Sequence, residues 1–265
     1  MRADVAFAAI DMPRISVIII THNEERNIAR CLESCQGIAD ETVVVDSGSS
    51  DRTREIAGAL GARVLERAWT NYSDQKNHAN AFAAHDWILS LDADEALSDG
   101  LREELQRLKE EGFAGAYRFK RLTNYCGHWV RHGGWYPDAK VRLFPKAGTR
   151  WEGEHVHETL ALPDGCRVID LDHDLLHYSY HSVEDHRDRI ERYSTLHARA
   201  MHAQGKRTGA IRMWLAPVVK FVQGYALQLG FLDGWAGWRI ATLSAWAVHL
   251  KYRKLKEMQD HGAAA

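Results

Sequence analysis

The first ninety residues alternate between solid apolar runs and stretches of helical spacing. Residues 15–20 (ISVIII) show no polar alternation, as expected of a strand buried on both faces of a parallel sheet. Residues 27–34 then place Ile28 and Leu32 at helical spacing, and residues 42–45 (TVVV) form a second buried run. The pattern repeats with a helix over 51–60, a strand over 62–65, a helix over 74–84 and a buried strand over 87–91 (WILSL). Such alternation predicts an open α/β architecture, mostly parallel, with helices on both faces of a central sheet.

A charged amphipathic helix is expected over 101–111, followed by less regular, more aromatic sequence with strands at 116–121 and 140–144. From 183 onward the chain reads as mostly helical. The expected organisation is a catalytic domain over 1–180, divided into a ligand-binding half at 14–100 and an acceptor half at 101–180, with a helical C-terminal region over 181–265. No internal repeat or low-complexity segment interrupts it.

Composition narrows the function. A chain of 265 residues with 45% hydrophobic side chains can bury a full core. Its formal net charge of -2 supplies no basic field for nucleic acid, which is excluded as a partner. The four cysteines form no CxxC pair and suit a reducing compartment. The apolar run at 5–10 is too short for a signal-peptide core, so export is not expected.

In open α/β sheets, ligands bind beyond the carboxyl ends of the strands, and polar clusters stand at those positions here. Asp92-Ala93-Asp94 follows WILSL. Carboxylates at i and i+2 of an extended segment share a side and can share a divalent cation. Mg²⁺ and Mn²⁺ favour oxygen ligands and bridge carboxylates to phosphates, which suits a departing nucleotide diphosphate. The plain alternative is a solvated turn or a cap for the helix near Ser98. After TVVV, residues 46–51 (DSGSSD) make an acidic Gly/Ser turn. Asp46 is suited to accept from a uracil imide, while Ser50 or Asp51 is suited to cap the next helix.

Lys76-Asn77 stands on the helix before the DxD strand, from which a cation can reach a diphosphate and an amide a base or ribose. Trp135 and Tyr136, in the Gly-rich loop 132–138, offer flat faces for a sugar ring or for packing beneath the loop. Arg142 offers a planar fork for phosphate, or a surface ion pair. His173 and His177 would share one face of a helix, but no accompanying Cys or HExxH pattern supports zinc. The chain lacks the GxSxG elbow of serine hydrolases and the GxGxxG of dinucleotide enzymes.

Together these segments resemble the family 2 glycosyltransferases of the GT-A fold, whose central sheet is Rossmann-like. ISVIIITHNE resembles the strand that opens the family's nucleotide pocket, and VVVDSGSSDRT its second-strand acidic turn. Lys76-Asn77 and LDADE follow in the family's order, so the four motifs span residues 14–95. The second half carries GGWYPD (133–138), RLF (142–144), His157-Glu158 and FLDGWAG (231–237), and is similar to the bacterial lipopolysaccharide inner-core β-1,4-glucosyltransferase branch. The resemblance implies Thr21, Asn23 and Asp46 around a uridine, with Glu24 in the same loop. It also implies Lys76 and Asn77 near the nucleotide, and Asp92 and Asp94 on or beside Mg²⁺ or Mn²⁺.

A single displacement with inversion needs a carboxylate to take the acceptor's proton opposite the diphosphate. Glu158 is the first candidate, with Glu154 and Asp138 behind it, and His157 is a further candidate ligand for the metal or diphosphate. Extended backbone would turn His155 and His157 one way and Glu158 the other. The wider family commonly carries a Glu-Asp or similar acidic pair where this chain has HVHE.

The implied reaction moves a hexose, glucose foremost, from a UDP-sugar to a lipopolysaccharide core or other glycolipid acceptor. The rivals are a same-fold transferase acting on polyprenyl phosphate, capsule or protein, and an inactive nucleotide-binding module. Residues 211–250 combine Trp214, Trp235, Trp238 and Trp246 with aliphatics, ahead of Lys251, Arg253, Lys254 and Lys256. That pattern suits helices lying at a membrane surface, or a core or dimer contact. No uncharged stretch there approaches the roughly 20 residues of a spanning helix. The expectation is a cytoplasmic protein, peripheral on the inner face of the cytoplasmic membrane, with its oligomeric state left open.

Overall fold

The structure is a computed structural model and describes residues 12–153 and 158–262. In chain order the elements are β1 (Ile15–Thr21), α1 (Ile28–Ser34), β2 (Glu41–Asp46), α2 (Thr53–Ala59), β3 (Arg63–Glu66), α3 (Tyr72–Phe82), β4 (Trp87–Asp92), β5 (Glu95–Leu97) and α4 (Asp99–Glu111). They continue as β6 (Ala116–Tyr125), β7 (His128–Val130), β8 (Asp138–Pro145), β9 (Arg150–Glu152), β10 (Thr159–Ala161), β11 (Val168–Tyr180), α5 (Val183–Ala203), α6 (Ala210–Val222) and α7 (Gly234–Gly262).

The main sheet runs β3-β2-β1-β4-β8-β6-β11-β5, with β7 paired to β6, and β9 and β10 form a separate antiparallel pair. β3, β2, β1 and β4 are mutually parallel, whereas β8 meets β4 antiparallel. The sheet is therefore mixed, with the expected parallel arrangement in its first four strands and β8 running against β4. Register brings the chemical positions to one end: Thr21 lies opposite Asp46 on β2, and Ile20 opposite Asp92 on β4.

The buried run of β1 divides by parity. Ile15, Val17 and Ile19 pack with Ile28, Cys31, Leu32 and Leu101 in one apolar cluster, whereas Ile18 and Ile20 pack with Ala79, Phe144 and Trp151 in another. Successive strand side chains point to opposite faces, so a strand without polar alternation requires cover on both. The helices α1 and α4 supply it for one cluster and α3 for the other.

The chain divides into two compact units, Met1–Lys120 with Ala139–Leu176, and Arg121–Asp138 with His177–Ala265. Residues 121–138 thus group with the C-terminal helices. The carboxylate of Asp233 accepts from the backbone N–H groups of Arg131 (3.2 Å) and His132 (2.8 Å). Tyr125 and Val130 share an apolar cluster with Ala236 and Ile240. The FLDGWAG segment needs its last glycine, since a Cβ on Gly237 would sit 1.7 Å from the Gly230 carbonyl oxygen.

Within this second unit, Ser182 and Asp185 form a capping box that starts α5. α6 carries Pro217, which cannot donate to the Met213 carbonyl one turn back. The His249 ring nitrogen Nδ1 lies 3.3 Å from that oxygen and replaces the missing donor. None of the residues of α6 is buried, and Ile211 (82% exposed) and Trp214 (64%) head a run of uncovered apolar side chains. Among the described residues no single helix is long and apolar enough to cross a membrane, and Ala210–Leu227 and Gly230–Asp260 meet that test only as a pair bent by 73°.

Candidate active site at the carboxyl ends of the parallel strands

The loops after β1 and β2 are tied together before any ligand is considered. Asn23 adopts a left-handed backbone (φ 56°), which Asn tolerates better than most residues. Its N–H donates to Ser49 Oγ at 2.8 Å and its Oδ1 accepts from the Ser50 N–H at 2.8 Å. The Glu24 N–H donates to Thr53 Oγ1 at 2.8 Å, and the Glu24 carboxylate accepts from the Asn27 amide. Asp51 accepts from the Thr53 N–H at 3.0 Å, but the N-cap of α2 is Arg52, which makes no side-chain cap, so neither Ser50 nor Asp51 takes the capping position expected from sequence.

Asp46 is fully buried. Its Oδ1 accepts from the N–H groups of Gly48 (3.0 Å) and Ser49 (2.8 Å), and its Oδ2 accepts from the Ser49 hydroxyl. These partners occupy the carboxylate that the sequence offered to a uracil imide, because a buried charge needs several donors to offset its lost hydration. Thr21 is the opposite case. Its Oγ1 is buried with no hydrogen-bond partner among the described residues, a condition that a bound ligand can relieve.

The sharpest feature lies at the end of β4. Asp92 Oδ1 is 3.3 Å from Lys76 Nζ, and Asp92 Oδ2 accepts from Arg142 Nη2 at 2.6 Å. Arg142 also donates to Glu95 at 2.5 Å, and Glu95 in turn accepts from the Asp92 N–H at 3.0 Å. Lys76 completes the cluster at 3.6 Å from Glu158 and lies 4.5 Å above the ring of Trp151. Lys76, Arg142 and Glu95 are all buried. Arg142 is therefore a buried network member, which excludes the surface ion pair considered from sequence. Lys76 and Arg142 contact the two oxygens of Asp92, and Asp94 sits half-buried in the turn that follows.

The cluster is electronegative. Asp92, Glu95 and Glu158 supply three carboxylates beside the two cations Lys76 and Arg142. The Cys31 thiol behind the turn registers it, being pushed well above its ordinary range by burial first and then by the charges of Cys35, Glu95, Asp94 and Asp92.

Other expected residues go elsewhere. Asn77 donates to the Trp151 carbonyl at 2.8 Å and accepts from the Trp151 N–H at 2.9 Å, so its amide pins β9 and is not offered to a base or ribose. Asp138, in the second unit, is paired with Arg121. Trp135 packs among Tyr125, Tyr180 and His186, and Tyr136 lies under Arg131. His173 and His177 are on strand β11, so helical spacing does not apply to them; His173 pairs with Glu104 and His177 with Thr123. Glu154, His155 and His157 lie outside the described residues.

Sequence reasoning left Glu95 and Trp151 without roles. Glu95 stood inside the quoted LDADE segment, and an acid next to a buried strand end, with an arginine in RLF to balance it, was the available signal.

Among the described residues no three His, Cys, Asp or Glu side chains are grouped to hold a metal by themselves. Mg²⁺ ordinarily asks for less, one or two carboxylates with substrate phosphates and water. The hard oxygen donors of this turn fit such a cation.

The family model for glycosyl transferase family 2 matches residues 16–161. An uncharacterized glycosyltransferase of Rickettsia bellii is 31% identical over 92% of this chain and 87% of its own length. The lipopolysaccharide core biosynthesis glycosyltransferase LpsC of Rhizobium meliloti is 27% identical over 90% of this chain and 93% of its own. Among solved structures, S. aureus TarS is similar at a TM-score of 0.45 and 15% identity, covering 94% of this chain and 92% of that one.

An α/β sheet that gathers an acid-rich, cation-bridged turn at the carboxyl ends of its parallel strands is the framework of a sugar-transferring GT-A domain. The chain belongs to glycosyltransferase family 2.

Proposed function

We propose that this glycosyltransferase moves a hexose, glucose foremost, from a UDP-sugar to a lipopolysaccharide core acceptor with inversion, assisted by Mg²⁺ or Mn²⁺ at a membrane surface. The observation that carries the donor part is the cluster in which the buried Lys76 and Arg142 bracket Asp92 beside Glu95 and Glu158. A cation held at 3.3 Å from one carboxylate and 3.6 Å from another is preorganised for developing diphosphate charge. The unpartnered Thr21 hydroxyl, at the same strand end, suits a uridine ribose or base.

Asp94 is the carboxylate for the divalent cation, with His157 as a further ligand. When bound, the cation neutralises charge on the leaving diphosphate. Asp92 acts through Lys76 and Arg142, which it holds in place. Glu158 is the base that takes the acceptor hydroxyl's proton; its neighbour Lys76 fixes the carboxylate's position. Glu154 remains a candidate for the same role, while the pairing with Arg121 argues against Asp138.

The acceptor class is taken from the relative named for lipopolysaccharide core biosynthesis. Membrane attachment is supported by the uncovered apolar side of α6 together with charge: residues 205–256 hold nine Lys and Arg and a single acid, Asp233. Apolar exposure flanked by cations suits an anionic headgroup layer, which would make the protein peripheral on the cytoplasmic face of the inner membrane.

The deciding experiment screens nucleotide-sugars by thermal shift with and without Mn²⁺, followed by transfer of labelled hexose into purified lipopolysaccharide. UDP-glucose should stabilise the folded chain by mass action, only with metal, and Asp94→Ala should abolish the metal-dependent part. An equal shift in the variant removes Asp94 from the site, and label entering another cell fraction replaces the acceptor.

A further inference from the structure

The second unit contains a cavity of 640 Å³ lined by residues from the β6 and β11 ends, the 134–138 loop, α5 and α7. Its lining carries the cations Arg121, Arg189 and Lys251, with the imidazoles of His177, His186 and His197, against one acid, Asp138. Asp138 is already paired with Arg121. Arg189 donates to Ser179 Oγ at 2.8 Å and lies 4.9 Å from the Tyr180 ring centre, and Lys251 lies 4.7 Å from the ring centre of Tyr252. Among the described residues neither Arg189 nor Lys251 has a carboxylate partner. Two half-buried cations facing a polar cavity give it a positive potential that favours an anionic ligand.

The cavity's other features describe the rest of the ligand. Trp135 and Tyr193 present aromatic side chains to it, and Ser179, Thr123 and Ser194 present hydroxyls. Aromatic faces with hydrogen-bonding groups suit a sugar ring. The volume is in the range of small-molecule sites and far larger than a lone anion needs. A phosphomonoester carries nearly two negative charges at neutral pH, which matches the two unbalanced cations. Arg189 offers a planar fork for its oxygens, and Lys251 a point charge.

We propose that this cavity binds a phosphorylated sugar through Arg189 and Lys251. The inference rests on the glycosyltransferase reading only in taking the phosphate's carrier to be a saccharide, and it concerns residues separate from the donor cluster.

Calorimetric titration of the full chain, saturated with UDP and Mn²⁺ to occupy the donor cluster, tests it. The probes are a hexose 6-phosphate, the free hexose, inorganic phosphate and glycerol 3-phosphate. The hexose phosphate should bind at least about tenfold tighter than each of the others, the scale of one hydrogen bond to a charged group. Lys251→Gln and Arg189→Gln should each weaken it by about tenfold or more, with UDP affinity unchanged, and Lys251→Arg should retain it. Arg189 also supports Ser179, so Lys251→Gln carries the test if the arginine variant does not fold.

Equal binding of inorganic phosphate or glycerol 3-phosphate overturns the sugar assignment, and equal binding of the free hexose overturns the anion assignment. Unchanged affinity in Lys251→Gln, or no binding at all, overturns the site. UDP with Mn²⁺ is titrated separately into the free chain and each variant, so loss of the donor reading and loss of this one are separate results.

Discussion

Lys76 Nζ lies between two carboxylates, 3.3 Å from Asp92 and 3.6 Å from Glu158, at a position where the lysine is almost fully buried. Removing it by Lys76→Ala deletes a preorganised cation and leaves those carboxylates with fewer counter-charges. We expect kcat for UDP-sugar turnover to fall by about 100-fold or more. Lys76→Arg should not restore it, because a planar guanidinium does not reproduce the compact point charge that the ammonium sets beside Asp92 and Glu158. Steady-state kinetics on folded variants, checked by circular dichroism, decide this.

Arg142→Ala strands Glu95, which is buried at the strand end with Arg142 as its ion partner. Breaking a buried pair from one side typically costs about 3–5 kcal/mol, and urea unfolding should reveal a loss of that order. Arg142→Met paired with Glu95→Leu should recover much of the stability while remaining inactive. A double variant that keeps activity would show that the pair is not part of the donor site.

Membrane attachment is tested on the exposed side of α6. Trp214→Glu with Val218→Glu reverses two apolar contacts that are solvent-exposed in the free chain. Burying each such side chain contributes about 1.5–3 kcal/mol, so flotation with anionic vesicles should drop by well over tenfold while thermal stability stays within about 1 kcal/mol. Wild-type binding should weaken with salt, and equal flotation with neutral vesicles would reject the electrostatic part.

His186 gives a pH-dependent prediction. Burial, then the charge of Arg189, pushes its imidazole down to about 4, and its Nδ1 lies 3.1 Å from the Tyr125 hydroxyl. Between that value and the ordinary one near 6.5 the unfolded chain binds the proton and the folded chain does not. Stability should therefore fall as pH drops through this window, by roughly 2–3 kcal/mol from this residue at pH 4 relative to pH 7. His186→Gln should flatten that part of the profile in urea titrations at stepped pH.

Much of the first unit was legible because its strands read as solid β-branched runs. ISVIII, TVVV and WILSL appear as β1, β2 and β4 within a residue or two of the expected limits. By contrast β11, thirteen residues long, was missed. Its sequence VIDLDHDL does alternate, with Asp170, Asp172 and Asp174 between Ile169, Leu171 and Leu175, but two histidines four apart drew attention to a helical spacing that the strand does not have. The short strands β5, β7, β9 and β10 have three residues each, too few for any period to register.

Residue order by itself determined the α/β alternation, the family, and the gathering of Thr21, Asp46 and Asp92 at one sheet end, because parallel strands joined by helices put every strand's carboxyl terminus on the same side. Only the tertiary structure decided how the charges are distributed. Whether a carboxylate faces a ligand or a buried arginine depends on partners fifty residues away, as Asp92 and Arg142 are. Burial of Arg142 then makes that pairing compulsory, since its charge cannot be left without water or a counter-ion.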